Sequence, residues 1–226
     1  MINSALTASQ QPARPQPTKS ARRDVERNYQ RVLEAAREVF GELGAAASVE
    51  EIAARAGVGV GTVYRRFASK DALIDELLRL SMKTLLRAAD EALAAPGGEG
   101  LRHYLQANGE EFASHARYAD LLLTRSADPA ARGRLRAAVE ELTARAVAAG
   151  TVAPDVTAAD VMALIWAMRG LVQATTDLLP PDAWHRYLAI HLAGLQVSVA
   201  LDARDERRVA RWSIASLAGA ACGYRR

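Results

Sequence analysis

Apolar residues recur at three- and four-residue steps along most of the chain, and from residue 100 onward no stretch alternates as a half-buried strand does. This pattern predicts an all-α protein. The predicted helices are about 28–43, 49–56, 60–67, 70–95, 100–116, 118–125, 129–149, 157–179 and 181–201. Pro96, Gly97 and Gly98 end the fourth helix, which is long enough to link two parts of the molecule.

The second and third helices are short and are joined by a glycine turn. Ser48 lies three residues before Glu51, the spacing at which each side chain can bond the other's free backbone N–H at a helix start. The apolar stripe that follows consists of Val49, Ile52, Ala53 and Ala56. Gly57 comes directly afterwards, and a glycine there can adopt the left-handed conformation that ends a helix. The chain therefore turns sharply within about three residues.

The third helix carries groups that suit a DNA duplex. It is too short to be stable alone, and Val63 and Phe67 are its apolar anchors. Its other face presents Gly61, Thr62, Tyr64, Arg65 and Arg66. Hydroxyl groups and arginines bind phosphates, and arginine also reads guanine edges in the major groove. Ser69 then caps the fourth helix with Lys70 in its first turn, an arrangement that favours a phosphate.

A longer pattern surrounds this surface. Its members are Ala35, Ala36, Phe40, Gly41, Gly44, Ser48, Val49, Ile52, Ala53, Ala56, Gly57, Val58, Gly61, Thr62, Tyr64, Phe67, Ser69, Lys70 and Leu73. In order and spacing it resembles the N-terminal domain of the TetR family of transcriptional regulators. The resemblance implies that Thr62, Tyr64 and Lys70 contact phosphates. It also implies that residues at the major groove are Val60, Gly61, Arg65 and Arg66, and we add the helix cap Ser48 to this candidate DNA-binding set.

Composition, helical pattern and the resemblance together imply four regions: an N-terminal arm (1–27), a helix-turn-helix DNA-binding domain (28–78), a larger helical ligand-binding and dimerisation domain (79–201) and a C-terminal tail (202–226). The arm holds Pro12, Pro15 and Pro17 among polar residues, which predicts flexibility. Its basic end, 19–23, either lies along DNA phosphates or in a minor groove, or is a solvated tail. The C-terminal tail is either a frayed basic end or an additional helix near 206–220.

The helix predicted at 157–179 is apolar nearly all round, which indicates two buried faces. One face consists of Val161, Leu164, Ile165, Met168, Leu171 and Val172. The other consists of Met162, Trp166, Arg169 and Gln173. With Tyr104, Phe112 and Leu121 from neighbouring helices, this second face forms a candidate pocket for a small-molecule effector, because buried polar groups need partners. A salt bridge of Arg169 is the alternative.

The resemblance also implies a homodimer, since in such proteins the last two helices pair with those of a second subunit. Packing within one chain is the alternative explanation of their apolar stripes.

Charge and motif content exclude several classes of protein. The formal net charge of +3 is modest, so nucleic-acid affinity requires charge concentrated on one face. A single cysteine, Cys222, excludes an internal disulfide, and no membrane-length apolar run or leader is present, so we expect a cytoplasmic protein without membrane contact. The four histidines, His103, His115, His185 and His191, lack metal-ligand spacing. Catalytic and cofactor motifs are also missing, so we expect neither a cofactor nor an enzyme.

The sequence therefore predicts a ligand-responsive transcriptional regulator. In its simplest form this is a repressor that binds a palindromic double-stranded DNA operator as a homodimer and is released by a small molecule. The rival hypothesis is a helical protein that binds a small ligand or a partner without reading DNA. The cluster of Arg65, Arg66 and Lys70 favours the first hypothesis.

Overall fold

The computed structural model describes residues 19–123, 125, 128–178, 180 and 182–198. Its α-helices are α1 Lys19–Leu43, α2 Val49–Ala56, α3 Val60–Arg66, α4 Lys70–Ala94, α5 Glu99–Ser114, α6 Ala119–Leu123, α7 Pro129–Ala148, α8 Ala158–Leu178 and α9 Ala183–Gly194. Short 3₁₀ helices, Gly44–Ala46 and Ala116–Tyr118, follow α1 and precede α6. Every regular element in these residues is helical, which confirms the predicted fold class.

The first helix begins at Lys19, so the prediction that the arm extends to residue 27 is wrong for residues 19–27. This segment has no continuous apolar stripe, and periodicity therefore missed it. Neighbouring side chains nevertheless pair across single turns: Arg27 donates to Asp24 at 2.8 Å, and Gln30 donates to Glu26 at 2.9 Å. Each such pair stabilises a helix by about 0.2–0.5 kcal/mol, and the packed part of α1 already supplies the nucleus. Residues 1–18 lie outside the described residues.

Two hydrophobic cores lie along the chain. We call the unit formed by α1, α2, α3 and the start of α4 the head, and the unit formed by the rest of α4 with α5, α7, α8 and α9 the distal domain. The head core contains fully buried Phe40, Ile52, Val63 and Leu73. The distal core contains Leu105, Leu142, Val161, Met168 and Trp184. Because α4 contributes side chains to both cores, it links them mechanically.

Ser48 and Gly57 define the two ends of α2. The Ser48 hydroxyl accepts from the Glu51 N–H at 3.2 Å, and the Glu51 carboxylate accepts from the Ser48 N–H at 2.8 Å. The predicted capping box is therefore confirmed. Gly57 has φ +63° and ψ +38°, the left-handed conformation that the sequence predicted.

We expect Gly57→Ala to lower the free energy of unfolding by about 1–2 kcal/mol, the cost of this conformation for a residue with a Cβ atom. The new Cβ would also lie 2.6 Å from the Arg31 guanidinium. Gly61→Ala is the control, because its Cβ would meet nothing within 4 Å and it lies inside α3. The control should raise stability by up to about 1 kcal/mol. Urea unfolding measures both, and equal stabilities of the two variants would contradict the assignment.

The distal domain follows the predicted helices closely, with one shorter element. Asp128 caps α7 ahead of Pro129, and Thr157 and Asp160 form the predicted capping box before α8. The last helix ends at Gly194, although the pattern predicted about residue 201. Beyond it, the Leu195 carbonyl accepts from the Ala153 N–H at 2.7 Å, so it bonds to the loop before α8 and no longer to α9. The tail 202–226 lies outside the described residues.

The segment between α5 and α7 belongs to the head core. Tyr118 and Leu122 are buried there, and Leu121 packs against the same cluster. Leu121 therefore lies against the head core, whereas the sequence predicted that it lines a distal pocket. A residue beyond α6, Arg125, donates to both carboxylate oxygens of Asp75 at 2.6 and 2.8 Å. It also lies 3.3 Å from Asp71, so this segment is fastened to the first turns of α4.

Candidate DNA-binding surface

The third helix presents one anchored face and one exposed face. Val63 is fully buried and Phe67 is 6% exposed, so both predicted anchors are confirmed. The opposite face exposes Gly61, Arg65 and Arg66, together with Tyr64, whose exposed fraction is 45%. A large aromatic side chain is seldom left in water without a use, and here it stands next to two guanidinium groups. The face offers hydroxyl and cationic groups to a ligand from outside.

The arginines of the head fall into two groups. Arg55 donates to Glu38 at 3.0 Å and to Glu42 at 2.8 Å, and Arg79 donates to Glu76. The ion pairs among the described residues include none with Arg65 or Arg66. The cations of α3 are therefore available to phosphates, whereas those on the other sides of the head already stabilise the fold.

Each of the other candidate side chains has a defined position. Lys70 donates to the carbonyl of Ala45 at 2.7 Å, which holds its ammonium between the end of α1 and the start of α4. Thr62 is half-buried and accepts from Arg65 at 3.0 Å, so it orients that guanidinium. Val60 packs against the head core at the start of α3. The Ser48 hydroxyl already bonds to Glu51 in the capping box. A hydrogen bond from this hydroxyl to DNA would therefore compete with its bonds to Glu51.

Tyr29 on α1 packs against the head core and also contacts a candidate DNA-binding residue. Its ring stacks on Phe67 with 6.0 Å between the ring centroids. The Arg66 guanidinium lies over the Tyr29 ring, 4.9 Å from its centroid. Its hydroxyl donates to the carboxylate of Glu76 on α4. Cation–π contacts of this kind are worth about 0.5–1 kcal/mol at exposed sites. Tyr29 therefore fixes Arg66 at the end of α3, and no sequence motif signals this contact.

The distal candidate residues meet only in part. Tyr104 and Phe112 are buried in the distal core, and Met162 packs against it. The Arg169 guanidinium lies 5.9 Å from the Phe112 ring centre and 5.7 Å from that of Trp166, while Gln173 is half-buried one turn further along α8. These contacts unite an arginine with two aromatic rings.

No open cavity described in the structure coincides with this cluster. A groove of about 280 Å³ lies between α4 and α7 and is lined by Leu86, Ala89, Asp90, Leu93, Arg134, Ala137 and Ala138. A groove of about 510 Å³ on the head is lined by Val39, Leu43, Glu51, Ala54 and Arg55. Neither lining includes a predicted ligand-binding residue.

A buried polar group lies where the head meets the distal domain. Glu111 lies 3.6 Å from the Nδ1 atom of His115. Burial raises the pKa of Glu111, which a hydrogen bond with Ser81 partly offsets. Burial, with the charges of Arg169 and Arg37, lowers the pKa of His115 to about 4. The imidazole is therefore neutral at pH 7. The two charges that act on its pKa lie on different parts of the molecule, Arg169 on α8 of the distal domain and Arg37 on α1 of the head.

Neither a metal-binding cluster nor a membrane-spanning helix occurs among the described residues. Among them, no three His, Cys, Asp or Glu side chains are grouped so that they could hold a metal ion. None of the helices described in the structure combines the length and apolar character needed to cross a membrane.

A short anchored helix with an exposed cationic face, preceded by a capped helix and followed by a helical domain, defines a helix-turn-helix DNA-binding regulator. Residues 32–77 match the family described as bacterial regulatory proteins of the tetR family, and residues 95–197 match the C-terminal domain of SbtR-like transcriptional regulators. A TetR transcription regulatory protein from Mycobacterium vanbaalenii is 33% identical, with a TM-score of 0.56 over 78% of this chain and 99% of that chain. The chain belongs to the TetR family of transcriptional regulators, which are DNA-binding proteins and not enzymes.

Two further relatives are also transcriptional regulators. The TetR regulator SCO0520 from Streptomyces coelicolor is 28% identical, with a TM-score of 0.56 over 75% of this chain and 99% of that chain. An uncharacterised helix-turn-helix regulator of Bacillus subtilis (strain 168), YerO, is 29% identical over 105 residues, which is 44% of this chain. The match spans 36% of the length of YerO, about a third of that relative.

Proposed function

We propose that this regulator is a repressor that binds a palindromic operator as a homodimer and is released by a small-molecule effector. The presentation of α3 carries the proposal, because Val63 fixes the helix while Tyr64, Arg65 and Arg66 face solvent. Thr62, Tyr64 and Lys70 position the head on phosphates. Arg65 and Arg66 contact bases or phosphates at the major groove, beside Val60 and Gly61.

The dimer interface is formed by the outer faces of α8 and α9. Ile190 on α9 is 55% exposed, and Val197, which follows the end of α9, is 65% exposed. On α8, Ala167 and Gly170 are exposed small residues that allow close approach of a second helix. Pairing these faces buries apolar surface that one chain leaves in water. The two α3 helices of the dimer would then lie about one DNA turn, 34–36 Å, apart.

The effector binds in the distal domain beside Arg169. The guanidinium between the rings of Phe112 and Trp166, with Tyr104, Met162 and Gln173 nearby, suits a molecule that has an apolar body and a polar group. Because Phe112 lies on α5 and Arg169 on α8, a molecule bound beside them contacts both helices. Binding therefore favours a different arrangement of the distal core.

The fourth helix transmits that change to the head. It is 25 residues long, about 38 Å, and it places Leu73 and Leu77 in the head core but Ala89 and Ala92 in the distal core. A tilt of α4 at its distal end moves both heads of a dimer. The spacing between the two α3 helices then no longer fits one turn of DNA, and the operator is released.

Selection of genomic DNA fragments by the full chain, followed by sequencing, tests the proposal. We expect enrichment of fragments that contain inverted repeats, and weaker enrichment when a panel of small hydrophobic compounds contains the effector. The variant Arg65→Ala with Arg66→Ala should lose the enrichment. Arg87→Ala on the distal part of α4 is the control, because its pair with Glu91 lies far from the head. Absence of any enriched repeat with the unaltered protein would overturn the proposal.

A further inference from the structure

The N-terminal turns of α1 carry a row of exposed arginines. Arg23, Arg27 and Arg31 recur at four-residue steps, so they share one side of the helix, and all three are exposed. We call this row the α1 basic edge. Residues 19–31 contain five basic and two acidic residues, a net charge of +3 that equals the formal net charge of the whole chain. The positive excess of the protein is thus concentrated on this stretch.

The basic edge begins where the helix-turn-helix is anchored. The Arg31 guanidinium lies 2.6 Å from the position that a Cβ atom of Gly57 would occupy, at the turn between α2 and α3. Two residues before it, Tyr29 holds Arg66 of α3 at 4.9 Å. One end of the α1 basic edge, at Arg31, therefore lies beside the predicted DNA-binding surface, and Arg27 and Arg23 follow one and two turns further toward the N-terminus of α1.

The dimensions of this extension match those of a DNA strand. From Tyr29 back to Lys19 the helix extends about 15 Å, which exceeds the width of a major groove, about 12 Å. Successive arginines of the edge advance about 6 Å along the helix axis. Phosphates of one strand advance about 3.4 Å each along the duplex axis, so the spacing of the arginines is close to the advance of about 7 Å between every second phosphate.

The acidic neighbours of the edge do not block it. Arg27 pairs with Asp24 at 2.8 Å, and both side chains are exposed. Glu26 accepts from Gln30 on the same stretch. An exposed ion pair contributes about 0.2–1 kcal/mol, so Arg27 can exchange it for a phosphate at small cost.

We propose that the α1 basic edge binds backbone phosphates of the operator duplex outside the half-site that α3 contacts. This inference rests on the proposed function and extends the protein's footprint on DNA. In this role the edge raises affinity and positions the protein on the duplex. It does not distinguish base sequences, because phosphate contacts do not read bases directly. The basic stretch, which the sequence left open between DNA contact and a solvated tail, is then a second DNA-binding element.

The test compares the full chain with the variant Arg23→Gln plus Arg27→Gln on a selected operator duplex over a series of salt concentrations. Each lost phosphate contact makes the plot of log affinity against log salt shallower by about 0.9, and the proposed homodimer loses two contacts per protomer, so we expect a change of about 3.6. Hydroxyl-radical footprinting should show loss of protection on the flank and unchanged protection in the half-site.

The matched control is Arg102→Gln plus Arg136→Gln in the distal domain. It removes the same charge, and Arg102 pairs with Glu99 three residues away as Arg27 does with Asp24. A slope for the α1 variant equal to that of the control overturns this inference while leaving operator binding by the unaltered protein intact. If the unaltered protein binds no duplex, the proposed function fails first. Far-UV circular dichroism confirms that both variants remain helical.

Discussion

Tyr64→Ala is expected to weaken binding to operator and to unrelated duplexes alike, by about 10- to 100-fold at one salt concentration. The side chain is 45% exposed beside Arg65 and is assigned to a phosphate. A hydrogen bond to a charged group is worth about 1.5–3 kcal/mol, and about 1.4 kcal/mol corresponds to a tenfold change. Fluorescence anisotropy with labelled operator and with scrambled DNA measures both affinities.

Two comparisons sharpen this result. Tyr64→Phe removes only the hydroxyl and should reproduce most of the loss if that group contacts phosphate. Lys70→Ala should act in the same direction, whereas Lys83→Ala, an exposed lysine further along the same helix, should leave affinity unchanged. A loss confined to the operator would show instead that Tyr64 reads bases.

Phe40→Ala is expected to lower the stability of the head by about 3–5 kcal/mol, because the ring is fully buried in the head core. The tryptophans of the chain are Trp166, Trp184 and Trp212, and all lie beyond the head in the sequence. Tryptophan fluorescence therefore reports on the distal part of the chain. In urea, the loss of DNA binding should shift to lower concentration while the fluorescence midpoint changes much less.

Leu142→Ala is the reciprocal variant. Leu142 is buried in the distal core, so its loss should cost about 2–5 kcal/mol and shift the fluorescence midpoint. If Phe40→Ala shifted the fluorescence midpoint as strongly as Leu142→Ala does, the two cores would unfold as one unit, against the expectation from their separate packing.

Local signals in the sequence were sufficient to predict most of the head. Ser48, Glu51 and Gly57 set the bounds of α2 through hydrogen bonds and a backbone conformation that depend only on nearby residues. The anchors Val63 and Phe67 follow from the four-residue step within a short helix. Exposure of Tyr64, Arg65 and Arg66 is the complement of that anchoring, so the candidate surface was predictable without coordinates.

Features that have no apolar period, or that depend on partners distant in sequence, were harder to predict. The first three turns of α1 form through charged pairs such as Arg27 with Asp24, which leave no apolar period. Leu121 lies on a five-residue helix, and so short a helix cannot show by its phase which of two cores it faces. The contact of Tyr29 with Arg66 joins residues 37 positions apart, beyond the reach of any local pattern.

The burial of Tyr118 and Leu122 in the head core makes the DNA-reading unit discontinuous in sequence. A chimaera that joins residues 1–78 of this chain to the effector domain of another regulator would leave a hole against α1 and α4. Domain exchange between regulators should therefore keep Ala116–Tyr118 and Ala119–Leu123 with the head they complete. A head can therefore be combined with the effector domain of another regulator only if this inserted segment is transferred together with the head.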